Sequence, residues 1–336
     1  MKLLKDILYK VDLVQIKGDS NCAIPHICFD SRLVQKDSLF VAVNGSHSDG
    51  HSFIDKAVSL GAIAIVCETL PVKLHPNVVY VQVHNSSDAL GVIASNFYDN
   101  PSEKIKLVGV TGTNGKTTVA TLLHNLFQAL GHKSGLISTV VYKIANKEIP
   151  STHTTPDALR LNAMLQDMVT NGCKYCFMEV SSHAIDQGRI AGLEFDIALF
   201  TNISRDHLDY HNTFDEYILA KKKFFDSLTS KAVAIVNKDD KHGATMLHHS
   251  KAKAKTFALR STADYKCKII ENQFSGLHLN VNGQDVYTKL IGSFNASNLL
   301  LTYAAAIELG EDSLQVLTVL SALSAVEGRF QQFKYD

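Results

Sequence analysis

The sequence predicts an α/β protein: a small N-terminal α/β unit followed by a P-loop ATPase-like, mainly parallel sheet flanked by helices, with an antiparallel ribbon near its end. Three observations lead there. An apolar run at 105–110 enters the loop Gly112-Thr113-Asn114-Gly115-Lys116-Thr117-Thr118, after which Leu122, Leu123, Leu126, Phe127 and Leu130 recur at helical spacing. From that loop to about residue 330, strand-like and helix-like stretches alternate, as in sheets covered on both faces. The turn-forming cluster Asp99-Asn100-Pro101-Ser102 separates this region from the residues before it, which sets expected domains at 1–98 and 99–330.

The loop has the composition that phosphate binding requires. Successive backbone N–H groups and the positive end of the following helix form an anion site, and glycine lets a phosphate approach closely. Lys116 would reach the terminal phosphates and the Thr117 hydroxyl a magnesium ion. The strict P-loop pattern wants glycine at 110, where this chain has Val110, so the match is to the shorter Gly-x-x-Gly-Lys-Thr. The strand before it, the helix after it and Gly131 as a helix stop supply the context that a short pattern needs.

Composition narrows the partners. Of 336 residues, 46% are hydrophobic and 20% charged, an ordinary globular balance at a length that suits two domains. Lys plus Arg and Asp plus Glu both number 33, so no basic excess points to nucleic acid. The N-terminus carries charges through what would be a signal-peptide core, and no apolar run approaches the ~20 residues of a membrane span, so a cytoplasmic location is expected. Six scattered cysteines make no disulfide framework. Cys173 and Cys176 form a lone C-x-x-C, but an offset of three along a strand puts the two thiols on opposite faces.

In the first unit, 27–32 and 38–45 read as short strands, the second closing in Asn44-Gly45; a helix at 53–60 stops at Gly61, and strands at 62–67 and 78–83 follow. In the second, strands are expected at 105–110, 134–138, 175–180, 196–201 and 232–236, with helices after the loop, at 156–171 and at 214–228. Residues 267–270 and 277–287 alternate apolar with polar and turn at Asn282-Gly283, an antiparallel ribbon. The loop, Glu179, Asn202 and His207 all fall at strand ends, where ligands of such sheets collect. Taken singly, Asp157 could be a helix cap and Glu179 a surface carboxylate. A zincin reading of His207 and His211 fails, because Leu208 stands where the general-base glutamate is needed.

Taken together, Gly-Thr-Asn-Gly-Lys-Thr-Thr at 112–118, Thr-Thr-Pro-Asp at 154–157, Glu-Val-Ser-Ser-His at 179–183, Phe-Thr-Asn-Ile-Ser at 200–204, Asp-His-Leu-Asp-Tyr-His at 206–211 and Gly-Ser-Phe-Asn-x-x-Asn at 292–298 resemble the Mur ligases. Asp-Ser-Arg at 30–32 and Asp-Gly-His at 49–51 resemble that family's first domain, so the likeness runs from about residue 25 to 330. It implies an ATP-dependent ligase of peptidoglycan synthesis that adds a diamino acid, meso-diaminopimelate or L-lysine, to UDP-N-acetylmuramoyl-L-alanyl-D-glutamate through an acyl phosphate. The alternatives are another Mur or folylpolyglutamate-type ligase, and a non-catalytic P-loop module that holds UDP-sugars.

Site residues follow from the resemblance one by one. Gly112, Thr113, Asn114, Gly115, Lys116, Thr117 and Thr118 would hold the ATP phosphates, with Thr117, Glu179 and His207 on magnesium. Asn295, Asn298 and Arg329 would contact the nucleotide from the far side. Ser31, Arg32 and the loop through His47 would bind the uridine diphosphate of a UDP-binding first domain, and Thr154, Thr155, Ser181, Gln187 and Arg189 the muramyl peptide. Lys221, in Tyr217-Ile218-Leu219-Ala220-Lys221, matches the family's carbamylated lysine, and the carbamate would reach the second metal. An ammonium about 4 Å from Mg²⁺ would be repelled by roughly 8 kcal/mol at an effective dielectric near 20, whereas a carbamate reverses the sign. Without the family, a solvated lysine in a run with Lys222 and Lys223 is the plainer reading. The family also carries a third domain with the amino-acid pocket; Gly328-Arg329-Phe330-Gln331 resembles the hinge into it, so 331–336 are expected to begin that domain, and the chain alone is expected to be an inactive monomer.

Overall fold

The computed structural model describes residues 1–45, 48–206, 210–211 and 213–323. The chain divides into two compact units. The first comprises 1–103, 156–166 and 186–193, and the second the rest of the described chain.

In the first unit, β1 (Lys2–Leu3) leads into the short helix α1 (Leu4–Ile7) and pairs with β3 (Ala23–Ile24). A five-stranded sheet holds β2 (Leu13–Lys17), β4 (Ile27–Cys28), β5 (Leu39–Val41), β6 (Ala64–Cys67) and β7 (Val79–Val83), in the order β2-β7-β6-β5-β4. All its pairings are parallel except that of β2, which lies antiparallel at an edge. Unbroken apolar runs suit strands buried on both faces. Accordingly Leu39, Val41, Ala64 and Val66 enter one core, while Phe40, Ile65 and Cys67 enter another. Helices α2 (Ile54–Ser59) and α3 (Ser86–Phe97) flank the sheet, and the Asn85 side chain caps α3 by accepting from Asp88 N–H.

Two local expectations change here. The strand expected over 27–32 ends at Cys28, because the Asp30 carboxylate accepts the Arg32 N–H at 2.9 Å and turns the chain into a 3₁₀ turn at Ser31–Leu33. The strand expected over 38–45 ends at Val41, and Asn44 bridges Asp49 instead of forming a tight Asn-Gly hairpin.

The second unit is built on an eleven-stranded sheet. Its strands are β8 (Lys106–Thr111), β9 (Ser134–Ile137), β10 (Val141–Ile144), β11 (Lys147–Pro150), β12 (Tyr175–Glu179), β13 (Ile197–Phe200), β14 (Val233–Asn237), β15 (Lys253–Ala258), β16 (Tyr265–Gln273), β17 (Gly276–Val281) and β18 (Gln284–Thr288). The order is β11-β10-β9-β12-β8-β13-β14-β15-β16-β17-β18. From β9 to β16 neighbours are parallel, and both ends close with antiparallel hairpins. The expected ribbon is present as three strands: a turn at Phe274-Ser275 joins β16 to β17, and the Asn282-Gly283 turn joins β17 to β18. The hairpin β10–β11 and strand β15 had also escaped the sequence pattern.

Helices of this unit are α4 (Lys116–Ala129), α6 (Ser182–Asp186), α7 (Phe214–Asp226), α8 (Gly243–Leu247), α9 (Ser293–Glu308) and α10 (Ser313–Ala322); α5 (Ala158–Thr170) is divided between the units. Val119, Leu122, Leu123, Leu126 and Phe127 of α4 form one apolar stripe, buried with Val108 and Val110 of β8, Phe177 of β12 and Leu299 of α9. Each such side chain contributes about 1.5–3 kcal/mol by leaving water. The same burial explains Val110 where a strict P-loop has glycine: it is a strand residue inside this core. No helix among the described residues is long and apolar enough to cross a membrane.

One polar group is sunk in this core. His124 of α4 is 4% exposed and its Nδ1 lies 2.9 Å from the Ser134 hydroxyl. Burial, aided by the nearby Lys143 charge, lowers its pKa from 6.5 to about 4. The unfolded chain then binds a proton that the fold excludes, so stability is lost as pH falls from the unfolded value toward the folded one. Urea unfolding of the wild type should lose about 2 kcal/mol more than His124→Gln between pH 7.5 and 4.5; equal losses would show that the folded imidazole takes up its proton as readily as the unfolded one.

Candidate nucleotide site

The site grows from a switch in sheet topology. After β8 the chain crosses to β9 on one side, with β12 filling the place between, and β13 then adds on the other side. At such a point the carboxyl ends of the strands open a crevice. The glycine loop fills it. Gly112 has φ +146°, and a Cβ there would fall 1.9 Å from Thr201 Oγ1. Gly115, at φ +92°, caps α4 without any side-chain hydrogen bond, and a Cβ on it would meet Asn298 Oδ1 at 2.5 Å. Both positions need a residue that tolerates positive φ and close approach. The first N–H groups of α4 are thereby left facing the crevice, the arrangement that binds phosphate.

The segment after β13 walls the loop. Thr113 N–H donates to Asn202 O at 2.8 Å, and Ser204 N–H donates to Thr113 Oγ1 at 3.0 Å. Asn202 accepts from Asn114 N–H at 3.1 Å and returns a bond to Asn114 O at 3.0 Å, while Thr201 Oγ1 donates to the same carbonyl at 2.7 Å. Lys116 Nζ bonds Gly112 O and Thr113 O, both at 2.9 Å, so its cationic head lies in the loop. Thr117 is buried beside it, and Thr118 half-buried. From α9, Asn298 Nδ2 donates to Asn295 Oδ1 at 3.0 Å, with Asn298 held against Gly115.

On the other side of β8, Glu179 ends β12 in register with Val110 and is 1% exposed. Thr139 holds it through N–H at 2.7 Å and Oγ1 at 3.2 Å. A carboxylate has about four lone-pair sites, so capacity remains for a cation. Thr139 Oγ1 also reaches Thr154 Oγ1 at 3.1 Å, and Thr155 Oγ1 donates to Glu179 O at 2.9 Å. Thr155 Oγ1 in turn accepts the Ser181 N–H at 3.3 Å, so these three expected substrate residues gather around Glu179.

Lys221 comes up beneath the loop from α7. It is 1% exposed, its Nζ donating to Gly112 O at 3.1 Å and lying 4.6 Å from the Tyr217 ring centroid. Burial drives this amine's pKa well below the usual lysine value, the Lys116 charge adds to the effect, and Asp206 opposes it. The solvated-lysine reading is thereby overturned. The reason is periodicity: Tyr217, Ile218, Lys221, Phe224 and Phe225 share the buried stripe of α7, while Lys222 pairs with Asp226 on the outside.

The remaining expected residues fall elsewhere. Ser31 is buried in the first unit, where Arg32 forks onto the Asp30 carboxylate at 2.6–3.1 Å. Arg32 borders a cavity of about 420 Å³ that also takes in His26, Phe29, Gln35 and Leu159. Gln187 and Arg189 also belong to this unit and bond each other, Arg189 Nη2 to Gln187 Oε1 at 2.6 Å. Asp157 accepts Arg160 N–H at 3.0 Å, the cap that its position suggested. His47, His207 and Arg329 lie outside the described residues. Sequence reading passed over Thr139 as the partner of Glu179, although a polar pair after the apolar run 134–137 marked another strand end.

Among the described residues no three His, Cys, Asp or Glu side chains converge to cage a metal. A buried carboxylate with a helix-start hydroxyl is instead a partial set of hard oxygen donors, which suits a magnesium ion shared with phosphate and water.

Comparisons with known proteins agree with this geometry. The model of the Mur ligase middle domain matches residues 110–306, and that of the Mur ligase family catalytic domain residues 23–98. The UDP-N-acetylmuramoyl-L-alanyl-D-glutamate–2,6-diaminopimelate ligase of Cytophaga hutchinsonii is 54% identical over 330 residues, covering 98% of this chain and 68% of its own length. Its counterpart in Parabacteroides distasonis is 51% identical over 328 residues, with the same coverages of 98% and 68%. A solved structure of a ligase of that name superposes with a TM-score of 0.85 at 28% identity, over 100% of this chain and 69% of that one. With two family domains matched in order over most of its length, the chain belongs to the Mur ligase family.

Proposed function

We propose that the chain carries the ATP and UDP-muramyl-peptide sites of a ligase that adds 2,6-diaminopimelate to UDP-N-acetylmuramoyl-L-alanyl-D-glutamate. The observation that carries the reading is the convergence of the Lys116 and Lys221 amines on the Gly112 carbonyl of the glycine loop, with Glu179 at the neighbouring strand end. The substrate is inferred from the names of these relatives, which specify diaminopimelate rather than lysine. Residues 99–330 would serve ATP and 1–98 the uridine diphosphate. Both are cytoplasmic metabolites, which favours a cytoplasmic enzyme.

In this reading the D-glutamate carboxylate attacks the γ-phosphorus of ATP, forming an acyl phosphate and releasing ADP. The diamino acid's amine then attacks the acyl carbon, and inorganic phosphate leaves with the amine giving up a proton. Magnesium supplies charge stabilisation on the transferring phosphoryl group, with Thr117 and Glu179 as its protein donors. Lys116 exchanges its bonds to Gly112 O and Thr113 O for phosphate oxygens and neutralises charge there. Thr139 keeps the Glu179 carboxylate aimed from the end of β9.

Lys221 takes its role as a carbamate. Its depressed pKa supplies the neutral amine that attacks carbon dioxide, giving R–NH–COO⁻ and one proton. The product replaces a buried neutral amine with an anion whose oxygens suit magnesium.

Three outcomes test the reading. Lys116→Ala should abolish MgATP binding measured by calorimetry while leaving the unfolding midpoint nearly unchanged; unchanged affinity would show that the loop does not bind the nucleotide. UDP should shift the amide resonances around Ser31 in the whole chain, and Ser31→Ala should weaken that binding several-fold; absence of shifts there would move the uridine site elsewhere. With ¹³C-bicarbonate, the wild type should show a carbamate carbon resonance that Lys221→Ala lacks, and its presence in the alanine variant would remove Lys221 from this role.

A further inference from the structure

The segment that clamps the glycine loop is itself held from behind. The pairing of β13 with β14 ends at Phe200 and Val236, where the strands part. Beyond that point side chains replace the backbone ladder. Asn237 Nδ2 donates to Thr201 O at 2.8 Å, and Asp240 Oδ2 accepts Ile203 N–H at 2.8 Å. Both groups are anchored within their own turn: Asn237 Oδ1 accepts Asp239 N–H at 3.0 Å, and Asp240 Oδ1 accepts His242 N–H at 2.8 Å. Asn202, between the two tethered peptide groups, bonds Asn114 with both ends of its amide and Thr113 through its carbonyl.

We propose that Asn237 and Asp240 are positioning residues for nucleotide binding, fixing Thr201–Asn202–Ile203 so that Asn202 holds the glycine loop in its phosphate-binding shape. The argument rests on the loop's binding ATP, as proposed above. Their hydrogen bonds go to the β13 end and to their own turn, so neither is placed among the groups that contact ATP. Their bonds set where the β13 end stands when the strands diverge. A loop that cradles an anion gains affinity from being held in its binding shape beforehand. Releasing Thr201 and Ile203 lets Asn202 swing, and Asn114 and Thr113 follow.

Asn237→Asp tests this with little change of shape. It keeps the oxygen that accepts Asp239 N–H and removes the Nδ2 donor to Thr201 O. In the whole chain, calorimetry with MgADP should show affinity lowered about tenfold, and hydrogen exchange should quicken at the Thr113 and Asn114 amides while Leu199 and Ile235 in the paired strands stay protected. A purely structural role would instead lower the unfolding midpoint and quicken exchange along both strands, leaving affinity of the folded fraction unchanged. Should Asn237→Asp fail to fold, Asp240→Asn, which keeps one oxygen for the two N–H groups, should give the same local pattern. Wild-type affinity and exchange in a folded variant would overturn the positioning role alone; a wild type that does not bind MgADP would overturn the nucleotide reading, and this inference with it.

Discussion

The nucleotide cradle depends on a close approach between Gly112 and Thr201. With any side chain at 112, the end of β8 could not lie against the end of β13, and the hydrogen bonds from Thr201 and Asn202 to Asn114 would lose their spacing. The approach also brings the Gly112 carbonyl within reach of two amines, Lys116 from above and Lys221 from below. Like charges this near one another are costly unless one is neutral or changes sign. The fold meets that demand by burying Lys221, which shifts its amine toward the neutral form.

Around that point the sheet order decides which chemistry can meet. Because β12 lies between β9 and β8, Glu179 ends beside the loop, and Thr139, just past β9, can hold its carboxylate. Because β13 lies on the opposite side, Thr201 and Asn202 wall the loop without competing for the same space. Three strands that are far apart in sequence thus deliver an acid, a phosphate loop and a clamp to one edge.

Much of this was legible in the sequence. The strand, loop and helix at 105–130 appear as read, since apolar periodicity and glycines with special backbone angles are local signals. Glu179 and Asn202 were found because a polar residue ending an apolar run marks a strand end. What escaped depended on partners distant in sequence. Thr139, Asn237 and Asp240 act through hydrogen bonds to other strands, which no spacing reveals. For Lys221 the basic run by itself suggests a solvated side chain, and only the helical stripe that includes Tyr217, Phe224 and Phe225 accounts for its burial.

The antiparallel hairpins that close the large sheet bear on how its borders resist pairing with another strand. A central parallel strand such as β8 is too apolar to stand at a margin. The margins are instead β11, with Lys147 and Glu148 exposed and Pro150 at its end, and β18, which opens with exposed Gln284 and Asp285. Charges and a proline on an outermost strand discourage another chain from extending the ladder. An eleven-stranded sheet built around so greasy a middle can therefore remain a finite object, its growth stopped at both borders by side chains that have no part in its chemistry.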